Sequence, residues 1–131
     1  MDPGQKAAIE RFVRGTLGCQ CPDEVFRKLE VGPLALPGGS GTGRRLVIGD
    51  RLLIHVVTAS VRPDLLPRIE EIAIAGRDER DRRGLNRFRL VVGMPAMAGD
   101  APALEQRFAR ALEGDDRAHL HMVAADQLPI V

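Results

Sequence analysis

Apolar residues recur at helical spacing in several stretches of the chain. The first stretch follows Asp2-Pro3, an N-cap with proline at the first helical position, and predicts a helix over residues 3–17. A second helix is predicted over about 64–83, and a third from Asp100 to Gly114. A shorter helix is predicted to open at Cys21-Pro22, because proline is favoured in the first turn.

β-rich apolar runs lie between these helices and predict strands. Two of the runs flank the dipeptide Gly49-Asp50, which is typical of a two-residue hairpin turn. The run after this turn is apolar at nearly every position, as expected for a central strand covered on both faces. The predicted strands are residues 34–36, 45–48, 51–57, 88–92 and 119–123.

The order of these elements predicts the fold class. From residue 51 onward, strand, helix, strand, helix and strand alternate, which indicates two right-handed βαβ crossovers and three parallel strands. The hairpin adds an antiparallel strand, so we expect an α/β protein with a mixed sheet of four to five strands and helices on its faces. The alternative is a ferredoxin-like α+β sandwich with all helices on one face. A length of 131 residues fits one domain, residues 1–131.

Composition and charge exclude several classes of partner. Only 3% of the residues are aromatic, so the core must be aliphatic and no stacking platform for nucleic-acid bases is expected. A net charge of +1 provides no strong field toward nucleic acid or an anionic membrane. The chain has neither a signal-peptide pattern nor an apolar run long enough for a bilayer, so we expect a cytoplasmic protein with reduced cysteines.

The two cysteines, Cys19 and Cys21, are the strongest candidates for chemistry. Three interpretations stay open: a redox couple, half of a soft-metal site, or two small side chains that pack in a turn. A helix N-terminus would lower the thiol pKa, whereas the acidic residues Asp23 and Glu24 would raise it. The pair resembles thioredoxin chemistry only in having a dithiol at a helix start. A Cys-x-Cys disulfide closes a strained ring and would be labile.

The metal interpretation needs further ligands. His119 and His121 are two residues apart on a predicted strand, so they project from the same face. With Cys19 and Cys21 they would form the Cys₂His₂ set that zinc prefers. Two chains in a dimer would instead supply the four thiolates of an iron–sulfur cluster. Zinc and iron are therefore the candidate metals, and the sequence does not indicate whether the histidines lie near the cysteines.

Other patterns have more ordinary explanations. His55 lies within an apolar strand and is predicted to be a buried, hydrogen-bonded histidine, with a general base as the alternative. The glycine-rich segment 39–43 precedes a strand and matches neither phosphate-binding fingerprint. The charged run 77–83 is predicted to be a solvated helix end, or an interface with another subunit. Arg87 and Arg89 on the next strand are expected to lie on one face and to pair with acids of that helix. The ends of the parallel strands, after residues 57 and 93, are the expected place for a pocket.

Two segments together resemble a small bacterial family of single-domain proteins of unknown function. They are Thr16–Phe26 (TLGCQCPDEVF) and Gly76–Arg89 (GRDERDRRGLNRFR), about a fifth of the chain. The resemblance implies a bacterial cytoplasmic origin and no particular activity.

Two functional hypotheses follow. In the first, Cys19 and Cys21 are catalytic or metal-binding thiols of a small protein that uses redox or soft-metal chemistry, either alone or as a homodimer. In the second, the protein is a non-enzymatic interaction module in which the cysteines are structural.

Overall fold

The computed structural model describes residues 3–18, 23–36, 42–58, 65–94 and 101–128, and it confirms the predicted α/β fold. A single five-stranded mixed sheet has the strand order β1-β2-β3-β4-β5. The strands are β1 (Leu29–Ala35), β2 (Thr42–Ile48), β3 (Leu52–Thr58), β4 (Arg87–Met94) and β5 (Ala118–Ala124). The helices are α1 (Pro3–Arg11), α2 (Leu65–Arg82) and α3 (Ala101–Ala111).

The sheet combines a meander with two crossovers. Strands β1, β2 and β3 are antiparallel neighbours, whereas β3, β4 and β5 are parallel and are connected through α2 and α3. The predicted turn between β2 and β3 is present at Gly49-Asp50, but the register pairs Ile48 with Leu52, so the connection has three residues rather than the predicted two. Gly49 and Asp50 both have positive φ, 61° and 54°, as a type I′ hairpin turn requires.

The two faces of the sheet are covered by different elements. Helices α2 and α3 cover one face, here called the α2–α3 face, where the core includes Leu53, Phe88 and Leu90. The segment around α1 covers the opposite face, here called the α1 face, where Ile54 and Val91 are buried. Because neighbouring residues of a strand point to opposite faces, β3 and β4 are apolar at nearly every position.

Residues 3–17 do not form one regular α-helix. The chain changes from α1 into a π-helical turn over Phe12–Thr16, which keeps Phe12, Val13 and Leu17 buried on the α1 face. The helix predicted from Cys21 is a 3₁₀ helix over Asp23–Arg27, only five residues long.

The first strand and the glycine-rich loop also differ from the sequence prediction. β1 covers residues 29–35 rather than 34–36, because its pairing with β2 supplies backbone hydrogen bonds to a segment with weak alternation. Thr42 and Gly43 belong to β2 rather than to a loop. Residues 38–41 lie outside the described ranges. Within the described residues, no helix is both long enough and apolar enough to span a membrane.

Candidate functional site

The structure describes only part of the site predicted from sequence. Cys19 and Cys21 lie outside the described residues, as do most of the two loops expected to form a pocket, residues 59–64 and 95–100. His119 and His121 are both described. They lie on the edge strand β5, where His119 is exposed and His121 is partly buried.

Arg89 connects His121 to the chain segment that precedes the cysteines. Its Nη1 atom donates to His121 Nε2 at 2.9 Å and to the backbone oxygen of Leu17, also at 2.9 Å. The Leu17 carbonyl and the His121 ring are therefore within two hydrogen-bond lengths of each other. Leu17 is two residues before Cys19 in the sequence, and Cys19 itself lies outside the described residues.

The prediction that Arg89 pairs with acids of α2 was wrong. Its neighbours Phe88 and Leu90 pack on the α2–α3 face, so strand alternation directs Arg89 to the α1 face, away from the acids of α2. Its register partner on β5 is His119, on the same face. The signal was present in the sequence, since an arginine between apolar residues of a central strand must find polar partners on one definite face.

The electrostatics of this group are unusual because the arginine has no described counterion. Among the residues that the structure describes, no carboxylate forms an ion pair with Arg89, and its Nε atom is buried without a hydrogen-bond partner. Burial, followed by the charge of Arg87, lowers the pKa of Arg89. A partly buried guanidinium without a counterion attracts an anion.

The two histidines next to Arg89 are neutral. Burial and then the charge of Arg89 lower the pKa of His121 to about 4. Burial and the same arginine also lower the pKa of His119. Since a guanidinium only donates, His121 Nε2 is an acceptor and its proton resides on Nδ1. We call Arg89, His119 and His121 the arginine–histidine cluster.

The arginine–histidine cluster fits a metal cation poorly. In the described part of the chain, no three His, Cys, Asp or Glu side chains come together as a ligand set. Arg89 already occupies the Nε2 atom of His121, and its positive charge opposes a divalent cation at that position. The same charge favours an anionic group such as a thiolate.

A second polar cluster lies under the α2–α3 face, around Glu79. The Oε1 atom of Glu79 accepts from Arg45 Nη2 at 2.9 Å and from His55 Nε2 at 3.1 Å. Its Oε2 atom accepts from Arg83 Nη1 at 3.2 Å and lies 2.7 Å from Arg45 Nε, in a charge contact that is not an aligned hydrogen bond. Arg83 also reaches the exposed Glu30.

The Glu79 cluster is a structural network. Burial raises the pKa of Glu79, but the hydrogen bond from Arg45, with the further contributions of His55 and Arg83, leaves that pKa below its usual value. His55 is 2% exposed and stacks edge-on against Phe88, with ring centroids 5.2 Å apart. The predicted buried, hydrogen-bonded histidine is confirmed.

The prediction that the C-terminal end of α2 is solvated was wrong for two residues. Glu79 and Arg80 are 5% and 2% exposed. Arg80 donates to both carboxylate oxygens of Asp115 at 2.9 and 2.8 Å, and to the neighbouring Asp81. Glu79 pairs with Arg83, four residues further along the helix, whereas Asp78 pairs with Arg77. Charged residues in this segment therefore attach α2 to the rest of the fold.

Comparison with protein families, with curated proteins and with solved structures finds no match to this chain. The resemblance to a small bacterial family stays a prediction. The class of protein is defined by the fold and the clusters: an α/β protein with a five-stranded mixed sheet, a buried Glu79 network on one face and an electropositive arginine–histidine cluster on the other.

Proposed function

We propose that this protein is a thiol–disulfide exchange protein that uses Cys19 and Cys21. The observation that supports the proposal is the position of Arg89, whose guanidinium binds the Leu17 carbonyl, two residues before Cys19, and has no described carboxylate partner. A guanidinium close to a thiol stabilises the thiolate, which is the nucleophile in disulfide exchange.

The proposed reaction conserves atoms and electrons. One cysteine thiolate attacks a disulfide of the substrate, forms a mixed disulfide and releases one substrate thiolate. The second cysteine thiolate attacks the mixed disulfide and releases the other substrate thiolate, so that two electrons pass from the protein dithiol to the substrate. The strained Cys-x-Cys disulfide that forms is readily reduced. Two molecules of a thiol such as glutathione return it to the dithiol and become glutathione disulfide.

In this proposal Arg89, rather than a helix dipole, is the group that lowers the pKa of the thiol. The helix after the cysteines is a 3₁₀ helix of five residues, too short for a strong macrodipole. The arginine, by contrast, holds a full charge in a partly buried position, where solvent screens it less. This proposal favours the redox interpretation of Cys19 and Cys21 over the zinc or iron interpretation. It also requires a reducing compartment, so we propose the bacterial cytoplasm as the place of action.

The test is the pH dependence of thiol alkylation. We expect wild-type protein to react with iodoacetamide with an apparent thiol pKa below the ordinary value of about 8.5. Arg89→Gln should raise that pKa by about one unit, since removal of a nearby opposite charge has an effect of this size. Cys19→Ser and Cys21→Ser, measured by mass spectrometry, identify which thiol responds.

Arg87→Gln is the matched control for this experiment. It removes the same charge two residues away on the same strand, from an exposed position, and should change the thiol pKa by no more than a few tenths. Arg89→Lys keeps the charge and should retain most of the lowering of the thiol pKa, which separates the effect of charge from any effect of Arg89→Gln on packing. An unshifted thiol pKa in wild type, or equal rates in all three arginine variants, would refute the proposal.

The second candidate function is a non-enzymatic interaction module in which the cysteines are structural. It is favoured by a groove beside β5 that has apolar and acidic walls. In this case the Cys19→Ser/Cys21→Ser double variant would bind its partner as wild type does, and neither thiol would exchange with glutathione disulfide.

A further inference from the structure

A groove of about 450 Å³ runs between α3 and the edge strand β5 on the α2–α3 face. Its apolar lining residues include Phe108, Leu112, Ala118 and Leu120. Glu105 and Glu113 of the α3 segment line its wall. The groove lies on the face of the sheet opposite to the side chains of Arg89 and His121, although His119 of the edge strand also contributes to its lining. It plays no part in the thiol chemistry proposed above.

The strand beside the groove has an unpaired edge. Within the described residues, β5 pairs only with β4, on its inner side. The Arg117 carbonyl accepts a hydrogen bond from the Phe88 N–H of β4 at 2.9 Å, so it points inward. Peptide groups of a parallel strand alternate in direction, and therefore Leu120 and Met122 direct their N–H and C=O groups outward, where another strand could pair with them.

The other edge of the sheet, formed by β1, carries residues that protect it from strand addition. Edge strand β1 contains Pro33, which has no N–H to offer, and the charged residue Glu30. Proline and charge are the usual devices that prevent edge-to-edge pairing. Strand β5 contains neither a proline nor a lysine, arginine or carboxylate. Among the described residues, the edge of β5 is thus the one that lacks these devices and to which a strand could be added.

The charges of the groove determine the kind of strand that fits. Asp115 also lines the groove, but Arg80 neutralises it. Neither Glu105 nor Glu113 forms an ion pair in the described part of the chain, so both carboxylates are available to a cationic side chain. A second copy of this protein would bring the same two acids toward each other, whereas a basic segment of another protein would complement them.

We propose that the groove binds an extended basic peptide segment of a partner protein by addition of a strand to β5. Glu105 lies in α3, which ends at Ala111, and Glu113 lies in the turn that follows, so the two residues are separated along the helix axis by on the order of 10 Å at 1.5 Å per helical residue. An extended strand covers that distance in about four residues, at about 3.3 Å each. The segment therefore has the pattern basic-x-apolar-x-basic, in which all three named side chains point to the groove and the apolar one contacts Phe108, Leu112 and Leu120.

The test uses a synthetic peptide with fluorescence anisotropy as the readout. The probe is a capped peptide of sequence Thr-Lys-Thr-Leu-Thr-Lys-Thr carrying a fluorophore. The comparison peptides replace both lysines by glutamate, or place the two lysines side by side. We expect the probe to bind at least tenfold more tightly than either comparison peptide, with affinity that falls as salt concentration rises.

Protein variants locate the binding site. Glu105→Gln and Glu113→Gln should each weaken binding about three- to fivefold, the range for exposed ion pairs, and the double variant about tenfold or more. Glu24→Gln is the matched control, because it removes an exposed carboxylate in the 3₁₀ helix, outside the groove, and should leave the affinity unchanged. None of these glutamates is in the core, so folding is preserved.

Backbone methylation of the peptide distinguishes strand addition from simple charge attraction. In an extended peptide, N–H groups of alternate residues face opposite sides, so methylation of one alternate set should abolish binding and methylation of the other set should not. Three results would overturn the proposal: equal binding of the three peptides, unchanged affinity of the Glu105→Gln/Glu113→Gln variant, or indifference to both methylation patterns. A dimer that these substitutions strengthen would instead identify a second copy as the occupant.

Discussion

At the residue scale, two buried or partly buried charged side chains on the sheet faces, Glu79 and Arg89, differ in how their charges are paired. Glu79 accepts from two arginines and a histidine, so its buried charge is compensated on every side. Arg89 has the opposite character, since its described partners are a carbonyl and a neutral histidine. Removal of one partner from a compensated buried charge is costly, so these contacts hold Glu79 in place, whereas among the described residues Arg89 has no carboxylate partner.

The protonation of His55 makes stability depend on pH. Burial lowers the pKa of His55 to about 4, more than the neighbouring Glu79 raises it, from an ordinary value near 6.5. Because the folded pKa is below the unfolded one, the unfolded chain binds the proton first and stability falls as the pH decreases. We expect the free energy of unfolding to decrease by about 3 kcal/mol from above pH 6.5 to pH 4.

Chemical denaturation across this pH range measures the effect. His55→Gln cannot be protonated and should flatten the pH dependence, although His121, whose pKa is also lowered, leaves a residual slope of the same sign. A wild-type free energy of unfolding that is constant between pH 6.5 and pH 4.5 would contradict the assignment of a neutral, buried His55.

At the scale of elements, the approach of α2 to the sheet depends on one glycine. A Cβ atom at Gly76 would lie 2.0 Å from Cζ of Phe88, which is fully buried and also contacts His55. The absence of a side chain at position 76 therefore fixes the distance between α2 and β4. Glycine within a helix costs stability relative to alanine, and here close packing against an aromatic ring offsets that cost.

Substitution Gly76→Ala should destabilise the protein by about 2 kcal/mol, because overpacking forces α2 or Phe88 to move. Thermal or denaturant unfolding measures the change. Gly15→Ala is the control, since a Cβ atom there would have no neighbour within 4 Å and its φ is not in the left-handed region. The changes in the free energy of unfolding caused by Gly76→Ala and Gly15→Ala should have opposite signs or differ by more than about 1 kcal/mol. Similar changes in both variants would show that the contact with Phe88 does not set the position of α2.

At the scale of the whole molecule, an ion pair connects the two crossover units. Arg80 near the end of α2 is 2% exposed and forms a two-point hydrogen bond with Asp115, in the turn between α3 and β5. Arg80 thereby fixes the second βαβ unit to the helix of the first. Two-point guanidinium–carboxylate pairs are among the strongest side-chain contacts in proteins.

A double-mutant cycle with Arg80→Gln and Asp115→Asn should give a coupling free energy of about 2 kcal/mol. The exposed pair Arg68–Glu71, at 3.4 Å, is the control cycle and should give less than about 0.5 kcal/mol. Equal coupling in both cycles would mean that the buried pair does not join the two units. Denaturant unfolding of the single and double variants supplies all the required free energies.

The sequence by itself determined the fold class, the three parallel strands, the hairpin at Gly49-Asp50 and the burial of His55. These features depend on local periodicity and turn chemistry, which are encoded within short stretches of chain. The five-residue 3₁₀ helix and the extent of β1 were not predictable in this way, because short elements take their form from their neighbours.

Only the tertiary structure decided which polar residues meet. Residues 72 positions apart in the chain, Leu17 and Arg89, come into contact because the α1 segment covers the sheet face to which Arg89 points. The same holds for Glu79, whose partners Arg45 and His55 lie on two different strands. Pairings of this kind depend on which face each helix covers, and periodicity within a segment carries no information about the element packed against it.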